Sequence, residues 1–486
     1  MAAISWMDVA VIIGYLLMMI GIGIWSSKKV KNLTDYAIAG RKLGYPVMLG
    51  TLIGATIGAA STIGKAGKAY EIGFIFFVAT LGYIIGLIFF GFFSKKLRQI
   101  NVLTIPDALR RRYGKGMEVA MGGAMALSVI ALFGAQIVGM GLVFTSIGSS
   151  YGLTYHSCIL LAGGILIFYT LVGGLFAVVY TDMIQTIIML VCIGIIMPAI
   201  VLNQIPMGNL SVLLKPHPGP LLGGMTPFYV LSIFIIDIAF CLVDPGLWQR
   251  ANAARNEKVI KRSMFVTAGV YFYWSLVVVF LGVAGAFLIP DVVARYGSSD
   301  AIIPALIVNY MPPVVVGLCL VALMAVMMST ASVALLIVGT TVASDLVPAI
   351  RPNTSEKGLL LYAKMSILIF GVLGIIFALS MKGVFDILLL AFAIYVSAVL
   401  IPIFAAFYWE KATKAGAIVS AIVATIVVVA LYALNKPFGM EPILISLVVS
   451  FVLMGASVGL PITRRALPPG LFRKVKRQEG GLSYWY

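Results

Sequence analysis

The sequence predicts an all-α polytopic membrane protein. Three observations carry that reading: a large excess of apolar residues, their grouping into thirteen helix-length stretches, and backbone breakers in the middle of two of them. Of 486 residues, 62% are hydrophobic and 10% charged, with a mean hydropathy of +1.09. A soluble domain with a solvated surface does not carry that balance. A helix needs about 20 mostly apolar residues to cross the hydrocarbon core. Such stretches run over 8–26, 46–69, 73–94, 117–147, 156–179, 182–203, 227–250, 262–289, 313–346, 358–380, 384–409, 414–434 and 442–462.

Taken in order, the first stretch lacks a basic region before it and an A-x-A cleavage site after it, so it reads as a retained helix and not a signal peptide. The second carries Gly50, Gly54, Gly58 and Gly64, then Lys65 and Lys68 on its outer half. The third to sixth are plain apolar runs, the sixth opening on Asp182. In the seventh, Asp244-Pro245-Gly246 interrupts a run that already holds Asp237. Longer outer segments cover 204–226 and 290–312, the second with a short helix over 300–309. The ninth stretch sets Ser329, Thr330 and Ser332 in an otherwise apolar helix, and the last four stretches are again plain. Beyond residue 463 the chain is basic, then rich in glycine and aromatics, and reads as a solvated tail.

The net charge of +17 invites a nucleic-acid reading, which the positions of the charges exclude. With the N-terminus outside and thirteen crossings, most Lys and Arg fall on the cytoplasmic side. They cluster at Lys28, Lys29, Lys31, Arg41 and Lys42, over 95–115, 250–262 and 351–364, at Lys411 and Lys414, and over 464–477. Cys158, Cys192, Cys241 and Cys319 lie in apolar segments with no CxxC spacing, so neither zinc nor a disulfide framework is indicated. With only His156 and His217 and no nucleophile motif, an enzyme is not expected.

Non-helical backbone at membrane depth is tolerated only beside protein or a water-filled cavity. The two broken spans are five apart, so two sets of five helices each open on an interrupted helix. That is the pattern of a LeuT-type five-plus-five inverted repeat, with substrate and ion held where the breaks free carbonyls and helix ends. The expected organisation is a first helix and basic loop over 1–44, repeats over 45–204 and 205–410, two C-terminal helices over 411–463 and a basic tail over 464–486.

An ionisable group inside the membrane costs roughly 2.5–3.5 kcal/mol on insertion scales, so each needs a reason. Asp182 reads either as a capped interfacial residue or as a cation ligand. Asp237 and Asp244, seven apart, share roughly one helical face. Asp237 reads as an internal hydrogen-bonding or helix-pairing group, and Asp244, at the break itself, as functional. The Ser329 and Thr330 hydroxyls share a face with Val326 and are hard oxygen ligands suited to sodium, although hydroxyls in membranes also bond their own helix or a neighbour. Lys65 and Lys68 either draw an anionic solute into a vestibule or snorkel to the headgroups. Arg250 is expected to anchor the cytoplasmic end of its helix.

Four blocks resemble the sodium/solute symporter family, which includes proline, pantothenate, sugar and sialic-acid carriers. They are Asp35 to Arg41 (DYAIAGR); Thr104-Ile105-Pro106-Asp107 with Leu109, Arg112, Tyr113 and Gly114; Gly173 to Val178 (GGLFAV) with Thr181, Asp182 and Gln185; and Met328-Ser329-Thr330 with Asp345. The resemblance implies a sodium site between the second and ninth spans. Its ligands would be the carbonyls of Gly54, Ile57 and Val326 and the hydroxyls of Ser329 and Thr330. Some members hold a second sodium at an acidic residue matching Asp182 and at hydroxyls one turn beyond the first site. Here Ser332 matches, but Val333 replaces the next hydroxyl, which puts that ion in doubt. The family's substrate pocket maps onto Ala60, Ser61, Thr62, Gln136 and Asp244. Thr56 stands where proline carriers have an acidic residue, which argues against proline, and Trp248-Gln249-Arg250 is similar to the urea and polyamine branch.

The expected function is therefore sodium-coupled uptake of a small organic solute by alternating access, with a carboxylate-bearing solute favoured. A proton-coupled carrier of the same fold and a carrier for an amine or urea-like solute are the alternatives, with a transporter-like sensor or channel more remote. No cofactor is expected beyond sodium as coupling ion. The partners are the solute, sodium and the lipid bilayer, with no nucleic acid and no obligate protein partner. The location is the cell (inner) membrane, with the N-terminus outside and the C-terminus cytoplasmic.

Overall fold

The computed structural model describes residues 5–27, 43–100, 104–148, 152–206, 227–380, 383–437 and 440–459. The 35–41 motif, the basic cluster from Lys28 to Lys42, residues 207–226 of the outer segment and the basic tail lie outside the described residues. So do the side chains of Gly173, Gly174, Leu175, Phe176 and Ala177 in the third motif.

Among the described residues, ten helices are long and apolar enough to cross a membrane, or eleven when the bent pair Tyr45–Thr56 and Ala60–Ile72 counts as one span. Eleven of the thirteen expected crossings thus have a full-length counterpart. The fifth and thirteenth correspond to the shorter apolar helices Tyr155–Leu171 and Ile443–Ala456.

The N-terminal half holds α1 (Trp6–Ser27), α2 (Tyr45–Thr56), α3 (Lys65–Ile72), α4 (Phe76–Ile100), α5 (Ile105–Tyr113), α6 (Lys115–Gly148), α7 (Tyr155–Val191) and α8 (Met197–Asn203). There follow α9 (Pro227–Val243), α10 (Pro245–Ala253), α11 (Glu257–Leu288), α12 (Val292–Tyr296), α13 (Ile302–Tyr310), α14 (Val315–Thr341) and α15 (Val347–Ile350). The chain ends on α16 (Glu356–Ser380), α17 (Val384–Tyr408), α18 (Lys414–Ala433) and α19 (Ile443–Ala456).

Helix α7 runs through the expected boundary between the fifth and sixth spans, but it is not straight. The Tyr169 hydroxyl hydrogen-bonds the Thr181 hydroxyl, whereas positions twelve apart in a straight helix lie about 18 Å apart. The segment therefore bends between them, and its two ends correspond to the expected fifth and sixth spans.

Burial follows the amphipathic logic of a membrane bundle. The ninth span is the axis, with its most apolar window wholly buried, packed on α6, α7, α16 and α1. Outer helices leave large apolar side chains exposed, among them Leu17, Phe92, Leu361, Ile376 and Val448, as a lipid-facing surface requires. At one end of the bundle the two interrupted spans are stitched together: the Leu43 N–H donates to the Ala253 carbonyl at 3.2 Å and the Arg255 N–H to the Leu43 carbonyl at 2.9 Å. At the other end, the short helix expected over 300–309 is a 3-10 turn, Ser299–Ala301, leading into α13. It seats on α3, the second half of the broken second span, where Asp300 leaves room only for a glycine at position 67.

Candidate functional site

The second span breaks after Thr56. Ile57 is extended, and the helix resumes through a π turn at Ala60–Gly64 before α3, bending the span by 62°. The freed backbone groups are met locally. Ser61 Oγ accepts from the Gly58 N–H at 2.8 Å, and Gln136 Oε1 accepts from the Ala59 N–H at 2.8 Å. Gly58 is demanded by close approach, since a Cβ there would lie 2.8 Å from Thr330 Oγ1 and 3.2 Å from Gln136 Oε1.

Against this break lies the middle of α14. Ser329 Oγ donates to the carbonyls of Gly54 at 2.8 Å and Val326 at 3.0 Å, and Thr330 Oγ1 donates to the Ile57 carbonyl at 3.2 Å. Each hydroxyl named by the sequence resemblance thus meets at least one of the three named carbonyls, in two sets: Ser329 with Gly54 and Val326, and Thr330 with Ile57. The C-terminal end of α2 adds the negative pole of its helix dipole.

The seventh span breaks at Asp244, which is extended and caps α10: its Oδ1 accepts from the Gly246 N–H at 2.6 Å and the Leu247 N–H at 3.2 Å. Residues of both breaks line one cavity. Of the residues expected there, Ala60, Ser61, Gln136 and Asp244 line it. Thr62 does not; it is fully buried behind the π turn, and its hydroxyl has no hydrogen-bond partner among the described residues. Thr330 joins the lining, so the oxygen cluster abuts the cavity.

Lys65 is neither in an outer vestibule nor snorkelling. It is 3% exposed and lines the cavity, its ammonium 3.1 Å from the Tyr271 hydroxyl and 4.7 Å from the centre of that ring. Lys68 stays nearer the surface and pairs with Glu71 at 3.5 Å and Asp386 at 3.4 Å. The sequence reading also missed Tyr83, Tyr271 and Tyr395, which line the cavity, and it took Asp237, another lining residue, for a structural group. Polar residues projecting inward from otherwise apolar spans were the available signal.

Asp182 and Arg250 are both fully buried within the protein. Arg250 Nη2 lies 3.2 Å from Asp182 Oδ2, Arg250 Nε donates to the Thr51 carbonyl at 3.1 Å, and the Thr51 hydroxyl donates to Asp182 at 2.8 Å. Ser332 spends its hydroxyl on the Ser329 carbonyl at 2.9 Å. No hydrogen bond joins Asp182 to Ser332 among the described residues.

This arrangement has known counterparts. The family description "Sodium:solute symporter family" matches residues 36–424. A sodium/proline symporter of Staphylococcus aureus (strain JH9) is 24% identical, the alignment covering 96% of this chain and 94% of that protein. A Na+-coupled sialic acid symporter, solved substrate-bound and outward-open, superposes with a TM-score of 0.78 at 16% identity, over 95% of this chain and 99% of that one. MhsT, solved with L-phenylalanine, superposes with a TM-score of 0.55 at 14% identity, over 84% of this chain and 98% of that one. The fold is thus the LeuT-type arrangement of two broken helices around a central site. With most of its length matched by the family description, the chain belongs to the sodium:solute symporter family, whose members are membrane transporters and not enzymes.

Proposed function

We propose that this symporter carries one small organic solute with one sodium ion, inward across the cell (inner) membrane, with its N-terminus outside and its C-terminus cytoplasmic. The repeats are 45–204 and 205–410, and 411–463 form an addition to the bundle. The observation that carries the reading is that, at the break of the second span, the Ser329 hydroxyl meets the Gly54 and Val326 carbonyls and the neighbouring Thr330 hydroxyl meets the Ile57 carbonyl. Three carbonyls and two hydroxyls suit a hard monovalent cation. Sodium takes the carbonyl lone pairs and the hydroxyl oxygens, whose O–H bonds rotate away. One ion suffices, because Asp182 is already neutralised by Arg250 and Ser332 is engaged with its own helix.

The solute sits among Ala60, Ser61, Gln136 and Asp244, with Lys65 supplying a positive charge suited to a carboxylate. Sodium bridging α2 and α14 holds the broken helix against the bundle axis and shapes Gly58 to Ser61 for the solute. By linkage, the factor by which sodium raises solute affinity equals that by which solute raises sodium affinity. Rocking of the two broken spans against the remaining helices then exposes the cavity to the cytoplasm, where low sodium releases both. Uptake into proteoliposomes, for a solute found by thermal-shift screening, tests the reading. A sodium gradient at equal pH on both faces should drive accumulation. Accumulation driven by a pH gradient and indifferent to sodium would assign the coupling to protons.

A further inference from the structure

The cavity carries charges of both signs that do not satisfy each other. Lys65, from α3, and Asp237, from α9, both line it and are close enough for their charges to interact, yet they make no direct ion pair. Lys65 uses one of its three donors on the Tyr271 hydroxyl, and no hydrogen bond from the described residues reaches the Asp237 carboxylate. An ammonium has three donors and a carboxylate about four lone-pair sites. Leaving either so nearly empty in a site 3% and 6% exposed is expensive, since a buried charge needs both a counter-charge and hydrogen bonds.

The Asp244 carboxylate is differently placed, because two N–H groups at the start of α10 engage it. One more lining residue carries an unpartnered polar group: the Tyr395 hydroxyl is buried and has no hydrogen-bond partner among the described residues. With Lys65, Asp237, Asp244 and the adjacent sodium counted together, the loaded cavity is neutral only when the solute has no net charge.

We infer that the solute is a zwitterion, its carboxylate received by Lys65 and its ammonium by Asp237. This rests on the sodium-coupled reading above and goes beyond it in naming the solute class. A lone anion leaves Asp237 unanswered and the cavity one charge negative. A lone amine leaves Lys65 unanswered and the cavity one charge positive. The stacked rings of Phe240 and Phe392, both lining the cavity, give the remainder of the solute an apolar seat.

The test uses matched compounds on the purified full chain in detergent, by thermal shift in sodium and in potassium. L-leucine is set beside isoamylamine and 4-methylpentanoate, γ-aminobutyrate beside propylamine and butyrate, and L-proline beside pyrrolidine and cyclopentanecarboxylate. Glucose and urea serve as neutral compounds. The expected result is stabilisation by at least one zwitterion and by neither of its matched partners, weakened at least tenfold in concentration dependence by Lys65→Gln and by Asp237→Asn. Stabilisation by sodium alone, retained in both variants, shows that they remain folded with the ion site intact.

A shift from an amine, an acid, glucose or urea without one from any zwitterion, or no shift from any zwitterion, overturns the inference. So does zwitterion binding unaffected by both substitutions. A zwitterion shift of equal size in sodium and potassium, still lost in the variants, leaves the inference standing and sinks the sodium-coupled reading instead.

Discussion

The Ser329 hydroxyl donates to the Gly54 carbonyl at 2.8 Å, joining the bundle axis to the last helical turn before the second span breaks. One turn of α2 earlier, Thr186 Oγ1 donates to the Gly50 carbonyl at 2.8 Å, and Thr51 carries the buried Asp182–Arg250 pair. The ion cluster, the half-helix and the ion pair therefore form one continuous polar seam. Displacing α2 disturbs all three.

Gly58→Ala tests the close approach at the break. The added methyl would stand 2.8 Å from Thr330 Oγ1 and 3.1 Å from its Cγ2, so either the break opens or Thr330 turns away. The expected loss of stability is about 1–3 kcal/mol, the usual range for overpacking. Sodium affinity should fall at least tenfold, read from the sodium dependence of the thermal midpoint. An unchanged sodium dependence in a folded variant counts against the assigned ligands.

Arg250 and Asp182 should behave as a coupled pair. Removing one partner strands a buried charge, which costs about 3–5 kcal/mol, whereas replacing both by apolar groups is far less damaging. Arg250→Met is therefore expected to lower the thermal midpoint strongly and Asp182→Leu with Arg250→Met to restore most of it. Additive losses across this cycle would show that the two act independently.

The segment seated on α3 should be pH-sensitive through Asp300. Burial pushes its carboxyl from the usual 3.8 up to about 7, outweighing the Val384 N–H and Lys68, which act in the other direction. The charged form is thus disfavoured while α13 is seated. Docking is strongest where the carboxyl is neutral and weakens as pH rises from about 4 to about 7, with little change above. Hydrogen exchange over 299–310, corrected for intrinsic rates, should show less protection at pH 8 than at pH 5. Asp300→Asn should remove that difference.

Much of this site was legible in the sequence. Gly54, Gly58 and Gly64 in one apolar stretch and Asp244-Pro245-Gly246 in another located both breaks, and Ser329-Thr330 located the helix that answers the first. Lys65 was misplaced for a geometric reason. The π turn over Ala60–Gly64 holds an extra residue, which rotates the following half-helix and carries Lys65 from the expected vestibule to the cavity wall. Thr62 left the cavity through the same turn. Arg250 was read as an anchor because its partners, Thr51 and Asp182, are 199 and 68 residues away along the chain. No local pattern encodes such a pairing. The fifth and sixth spans were separated by hydropathy, but their joining in one bent helical segment was not read from it.

The central claim is that sodium is held by α2 and α14, and equilibrium binding of radioactive sodium to the purified protein tests it without knowledge of the solute. The wild-type chain should bind about one sodium ion per molecule. Ser329→Ala combined with Thr330→Ala, still folded by circular dichroism and with an unaltered elution profile, should bind none at the same concentration. Full sodium binding by that double variant would contradict the assignment.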